Sequence, residues 1–167
     1  ALCHAYGILF CVDSAQSAGV FDIDVGTNQY DFVCMSGHKS LYGPMGTGVL
    51  ILNNRNLKPL LYGGTGTESV KKSQPEGLPE KFESGTQNMN GISGLKAGVD
   101  FVKNRGIKNI YNHEYKLAKR LFNGLANNRK VITYNKSFDY GKVAPVVSFN
   151  IDGVYSEDLV AKLNKYG

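Results

Sequence analysis

No apolar run in this sequence is long enough to cross a membrane, and no signal-peptide pattern is present, so no membrane partner is expected. Cysteine is scarce. Cys3, Cys11 and Cys34 show neither paired nor metal-type spacing, which excludes a disulfide framework. An odd count without a secretion signal fits a reducing compartment, and a cytoplasmic location is expected. Cys11 and Cys34 lie inside apolar runs and read as core thiols. The three histidines, His4, His38 and His113, stand far apart, so no local metal motif exists and no metal is expected. Lysine and arginine give a net charge of +5 but are spread along the chain, so nucleic acid is not an expected partner. Internal repeats and low-complexity segments are missing too.

What is present reads as a globular α/β protein. The 167 residues amount to about one domain by length, with ordinary apolar (42%) and charged (20%) fractions. Ala1 to Gly7 reads as the last turn of a helix closed by a glycine, and the chain stops in or just after another helical pattern. The expectation is a piece of a longer protein. Ile8–Val12, Tyr30–Met35 and Gly48–Leu52 are continuous apolar runs, as in strands buried on both faces. Residues 53 to 85 show little periodicity. Helical spacing resumes at Gly91 with Leu95, Val99 and Val102, and Gly106 ends it. A second helix carries Ile107, Ile110, Tyr111, Leu117, Ala118, Leu121, Phe122 and Leu125 on one side. Val131–Tyr134 and Val143–Ile151 read as strands with a turn at Asp139-Tyr140-Gly141. Ser156 is placed to cap a last helix, Glu157 to Lys165. The domain reading is 1–105 as part of a large domain, 106–128 as a connecting helix and 129–167 as the start of a smaller domain.

The first two strands deliver polar residues at their C-terminal ends, where α/β sheets bind ligands. One end carries Asp13 and Gln16. The other carries Ser36, His38 and Lys39 in Ser36-Gly37-His38-Lys39-Ser40-Leu41-Tyr42-Gly43-Pro44-Met45-Gly46-Thr47-Gly48. A lysine where a buried strand opens into a glycine-rich loop is unusual, because lysine heads normally stay in water. In a partly desolvated site it gains free amine and can form a Schiff base. Pyridoxal phosphate asks a protein for a lysine, an acid facing the pyridine nitrogen, a donor to the ring oxygen and donors to the phosphate. Lys39, Asp13, Gln16, and Ser36 with His38 supply these in turn. A P-loop is a poorer reading, since its lysine follows the glycines whereas Lys39 precedes them.

Val12-Asp13-Ser14-Ala15-Gln16-Ser17-Ala18-Gly19, the Ser36–Gly48 segment and Phe82-Glu83-Ser84-Gly85-Thr86-Gln87-Asn88 together resemble the class V aminotransferase family, nearest its cysteine desulfurase and selenocysteine lyase branch. The resemblance covers residues 1 to about 105 well and the remainder in outline. It implies the C-terminal part of a fold-type I pyridoxal-phosphate transferase large domain, followed by the beginning of a small α+β domain. It implies that Lys39 binds the cofactor aldehyde, Asp13 the pyridinium and Gln16 the ring hydroxyl. Ser36 and His38 would bind phosphate, and Thr86 would reach the phosphate of a neighbouring subunit in a homodimer with a shared site. The implied substrate is an amino acid, cysteine foremost, with a sulfur-acceptor protein downstream. The family's phosphate-cradling loop, substrate-binding arginine and sulfur-accepting cysteine match nothing in this chain, so residues 1–167 alone are expected to be inactive. Alternatives are a transaminase or another lyase on the same scaffold, and a non-catalytic α/β binding domain.

Overall fold

A computed structural model describes residues 2–53, 57–66, 68 and 70–166. Ala1 and Gly167, the outermost residues of the two terminal helical readings, lie outside the described residues. The chain divides into two compact units, Ala1–Arg105 and Gly106–Gly167.

In the first unit a short helix, α1 (Leu2–Ala5), ends in Gly7, which adopts φ +66°. The Gly7 amide donates to the His4 carbonyl at 3.0 Å and the Ile8 amide to the Cys3 carbonyl at 2.9 Å, satisfying the helix's last acceptors. Three strands follow: β1 (Cys11–Asp13), β2 (Phe32–Ser36) and β3 (Gly48–Leu52). They lie in the order β1-β2-β3, with β1 parallel and β3 antiparallel to β2. The register sets Val33 opposite Ile51 and Met35 opposite Val49, so these side chains share one face. That face carries the core: Ala18, Leu41 and Leu95, with Ile23, Met35, Val49 and Val99 packed around them. Each such large aliphatic side chain removed from water contributes about 2 kcal/mol.

The sequence reading of three strands buried on both faces is corrected here. Central Val33 is 1% exposed, but Ile8 and Leu9 are half-exposed and precede β1. Strand pairing starts later because Asp31 takes the Phe10 amide through its side chain, at 2.6 Å, while the Phe10 carbonyl accepts the amides of Asp31 and Phe32. The opposite sheet face is only partly covered, and Leu50 is 51% exposed.

Residues between β3 and the next long helix hold one turn of 3-10 helix, Glu80–Phe82. Helix α2 (Met89–Arg105) starts two residues before the expected Gly91. The Asn88 side-chain oxygen accepts the Gly91 amide at 3.0 Å, an N-cap the sequence reading missed. Gly91, Leu95, Gly98 and Val102 form its buried stripe, and Gly106, at φ +84°, follows its last residue.

The second unit opens with α3 (Ile107–Ala126) and continues through β4 (Val131–Thr133), β5 (Phe149–Ile151) and α4 (Ser156–Leu163). β4 and β5 pair antiparallel, Val131 facing Ile151. The expected strand Val143–Ile151 shortens to its last three residues. Pro145 has no amide to give a ladder, and the Asn135 side chain replaces it by accepting the Ser148 amide and donating to the Val146 carbonyl. On α3, Ile110 and Tyr111 are buried as expected, but Leu117 and Leu121 are about half exposed. Tyr115 takes their place. Its ring stacks on Phe138, and its hydroxyl donates to the Phe138 carbonyl at 2.9 Å. Ser156 is the first helical residue of α4 rather than its cap; the capping position is Tyr155, with no side-chain bond. No described helix is long and apolar enough to cross a membrane.

Candidate functional site

Because β1 and β2 run parallel, their C-terminal ends open on the same sheet edge. Asp13 ends β1 and pairs with Cys34; Ser36, two residues further along β2, pairs with Gly48. The Asp13 side chain is exposed, and its Oδ1 accepts the Ala15 amide at 2.9 Å, which fixes the carboxylate at the head of the turn. Ser14 is buried behind it. The Ser14 amide donates to the Cys34 carbonyl at 2.8 Å, joining the two strand ends, while its Oγ has no partner.

The loop after β2 is held by close packing. The Gly37 amide donates to the Thr47 carbonyl at 2.9 Å, and the Gly37 carbonyl accepts the Gly43 amide at 2.7 Å. A Cβ at residue 37 would stand 2.2 Å from Thr47 Oγ1, so only glycine lets the backbone approach. Ser36 and His38 flank this glycine, and Ser36 Oγ lies 3.1 Å from His38 Nδ1. Lys39 follows, half-buried, with no ion pair to any described residue. Its carbonyl accepts the Tyr42 amide at 2.9 Å. Tyr42 adopts φ +56°, and its ring meets Phe101 edge-on with centroids 5.0 Å apart. Leu41 points into the core. The lysine therefore sits on backbone anchored on both sides.

The other expected residues are placed more loosely. Gln16 is exposed in the turn after β1. Thr86 is exposed after Gly85, and a Cβ added at residue 63 would stand 3.3 Å from the Gly85 amide nitrogen and the Ser84 Cβ. The Gln74 side-chain amide holds the Gly63 carbonyl at 2.9 Å beside a cavity of about 260 Å³ that Tyr62, Thr65 and Lys72 help to line. Among the described residues no hydrogen bond links Gln16 or Thr86 to Asp13, Ser36, His38 or Lys39.

Two ionisable groups near the strands are perturbed. The Phe10 amide, and then the His4 imidazole at 2.7 Å, hold the Asp31 carboxyl below its ordinary range. This clasp ties α1 to the start of β2. Burial, and then the neighbouring Cys11 thiol, push the Cys34 thiol up, which disfavours its thiolate. Among the described residues no group of three or more His, Cys, Asp or Glu side chains could hold a metal ion.

Sequence reasoning missed Thr47, Asp31 and Gly98 as supports of this edge. Gly98 carried a signal: a glycine inside a helix costs stability, so its presence points to a close approach. A Cβ there would lie 2.2 Å from the Leu41 carbonyl oxygen.

The family model for aminotransferase class-V matches residues 1–167. A probable cysteine desulfurase from Pyrococcus abyssi is 38% identical over 168 residues, which cover 96% of this chain and 41% of the relative. The apo structure of a cysteine desulfurase from Thermococcus onnurineus NA1 superposes with a TM-score of 0.84 at 36% identity, covering 99% of this chain and 42% of that one. A C-DES variant structure with glycine covalently linked to its PLP cofactor superposes at 0.74 with 25% identity, covering 90% and 40%. The chain thus spans about two fifths of the length of the proteins it matches, and its architecture is that of part of the fold-type I transferase fold.

Proposed function

Because this chain belongs to the class V aminotransferase family, we propose that it is the portion of a pyridoxal-phosphate-dependent, cysteine desulfurase-like enzyme that carries the cofactor lysine, Lys39. The observation that carries the reading is the shared edge of β1 and β2, where a carboxylate, an amine, a hydroxyl and an imidazole come from two adjacent strand ends. This donor set fits the cofactor: an acid for the ring nitrogen, an amine for the aldehyde, and neutral or cationic donors for a phosphate.

In this reading the Asp13 carboxylate keeps a proton on the pyridine nitrogen, and the Gln16 amide donates to the ring hydroxyl. Ser36 and His38 serve the phosphate. Thr86 reaches the phosphate of a partner subunit, making the site a property of a homodimer. Pyridoxal phosphate, when bound, supplies an electron sink for the substrate carbanion. Lys39 Nζ holds the cofactor and then moves a proton at the substrate Cα. The substrate is cysteine, the products are alanine and a sulfur passed to an acceptor, and the location is cytoplasmic. None of Cys3, Cys11 and Cys34 matches the family's sulfur-accepting cysteine, so that cysteine and the carboxylate-binding arginine are assigned to residues outside 1–167, and this stretch alone is inactive. Residues 1–105 contribute to the large domain, 106–128 connect, and 129–167 begin the small domain.

Borohydride trapping of the full-length protein with pyridoxal phosphate, followed by peptide mapping, tests the reading. The adduct should sit on Lys39, and Lys39→Ala should abolish both the adduct and the release of alanine from cysteine. An adduct elsewhere, or none, refutes it. Cofactor on Lys39 with amino transfer to a keto acid, and no sulfur released from cysteine, would reassign the protein to a transaminase.

A further inference from the structure

We infer that Gln74 is a positioning residue for Thr86: its buried amide fixes Gly63, and Gly63 braces the Ser84-Gly85 bend that presents Thr86 to the phosphate. The inference rests on the cofactor reading above, in which Thr86 is the residue that crosses to a partner subunit's phosphate.

Thr86 stands near the end of a segment with little regular structure. Between β3 and α2 the described residues form one turn of 3-10 helix, Glu80–Phe82. Among the described residues no backbone hydrogen bond holds Gly63, Gly85 or Thr86. An exposed threonine on such backbone samples many positions, and ordering it on binding costs affinity. Gln74 supplies a restraint. Its Nε2 donates to the Gly63 carbonyl at 2.9 Å, across eleven residues of chain. Pro75 follows and confines the Gln74 backbone. Gly63 then carries the restraint onward. A Cβ built there would stand 3.3 Å from both the Gly85 amide nitrogen and the Ser84 Cβ, so the two backbone stretches approach closely. Gly85 adopts φ +88°, a left-handed conformation that sets the direction in which the chain enters Thr86.

Stability does not explain the glutamine. Gln74 is 8% exposed, and its Oε1 finds no partner among the described residues. One neutral hydrogen bond gained does not outweigh a buried acceptor left unpaired, so a methionine of similar length would serve the fold equally well or better. What the amide does is hold the Gly63 carbonyl, and through it the bend before Thr86.

The test measures the affinity of the full-length apoprotein for pyridoxal phosphate and, separately, for phosphate-free pyridoxal. Thr86→Ala should weaken pyridoxal phosphate about tenfold, the loss of one hydrogen bond to a charged group. Gln74→Met should weaken it about threefold, because it loosens Thr86 without removing it. The same change should leave pyridoxal affinity unchanged and the urea midpoint of unfolding unchanged or raised. Gly63→Ala crowds the Gly85 amide from the other side and should show the same selective loss; residue 63 lies outside the left-handed region, so its backbone tolerates alanine. In a Thr86→Ala background, Gln74→Met should have no further effect. Indifference to Gln74→Met, an equal loss on pyridoxal, or a loss that persists in the Thr86→Ala background would overturn the inference and spare the cofactor reading. Indifference to Thr86→Ala would overturn it together with the assignment of Thr86, while an adduct on Lys39 would still uphold the cofactor. Failure of the unmodified protein to bind pyridoxal phosphate would overturn both.

Discussion

Two stretches of the first unit are rich in glycine, and they use it in opposite ways. In the loop after β2, Gly37 is there because Thr47 leaves no space for a Cβ, and Gly98 on α2 leaves room for the Leu41 carbonyl. In the long segment between β3 and α2, a Cβ at residue 66 or residue 77 would meet nothing within 4 Å, so Gly66 and Gly77 border open space. The first use is steric; in the second nothing crowds residue 77, and Gly66 serves a left-handed φ of +82° instead. The chemistry-bearing residues Ser36, His38 and Lys39 all stand on the close-packed loop, while Thr86 follows the open segment. Preorganised groups belong on backbone that cannot drift.

The largest expected effect is at Gly98. Gly98→Ala drives a methyl into the Leu41 carbonyl and should cost about 3 kcal/mol, measured as a shift in the urea midpoint of unfolding; a loss below about 1 kcal/mol would mean the loop yields and the contrast fails. Acidification comes next. Asp31 has a lowered pKa in the folded chain, so its contribution is fully present above the ordinary carboxylate value of 3.8 and is lost as pH falls through the lower native value. As pH falls below the ordinary carboxylate value of 3.8, the thermal midpoint should drop more steeply in the unmodified chain than in Asp31→Asn. Ser14→Ala removes a buried hydroxyl that bonds to nothing, so the midpoint should stay within about 0.5 kcal/mol or rise slightly; a loss above about 1 kcal/mol would reveal a partner for that hydroxyl. Gly77→Ala in the open segment should be smallest, within about 0.5 kcal/mol.

Much of the site is legible in the sequence because its residues are contiguous. The polar ends of two apolar runs and the lysine before the glycines are local patterns, and β3 runs from Gly48 to Leu52 as expected. What escapes depends on partners distant in sequence. Ile8 and Leu9 look like strand, yet Asp31, more than twenty residues on, claims the Phe10 amide and delays pairing. Tyr115 escapes because its environment is completed by the Phe138 carbonyl and ring, more than twenty residues away. Leu117 and Leu121 fit the helical period but stay exposed, since periodicity predicts a face without saying what covers it. The Ser36 to His38 contact needs geometry: residue type alone names both side chains, and only the structure sets Ser36 Oγ 3.1 Å from His38 Nδ1.

The left-handed backbone at Tyr42 sets rules for anyone searching sequence space around the lysine. Its φ of +56° costs an ordinary L-residue about 1 kcal/mol, and the edge contact with Phe101 offsets part of that. A library randomised at this codon and selected for folding should therefore return two kinds of survivor. Glycine and asparagine would win by relaxing the backbone, tyrosine and other aromatics by keeping the ring. Valine and isoleucine, which offer neither remedy, should be the first to vanish from the pool.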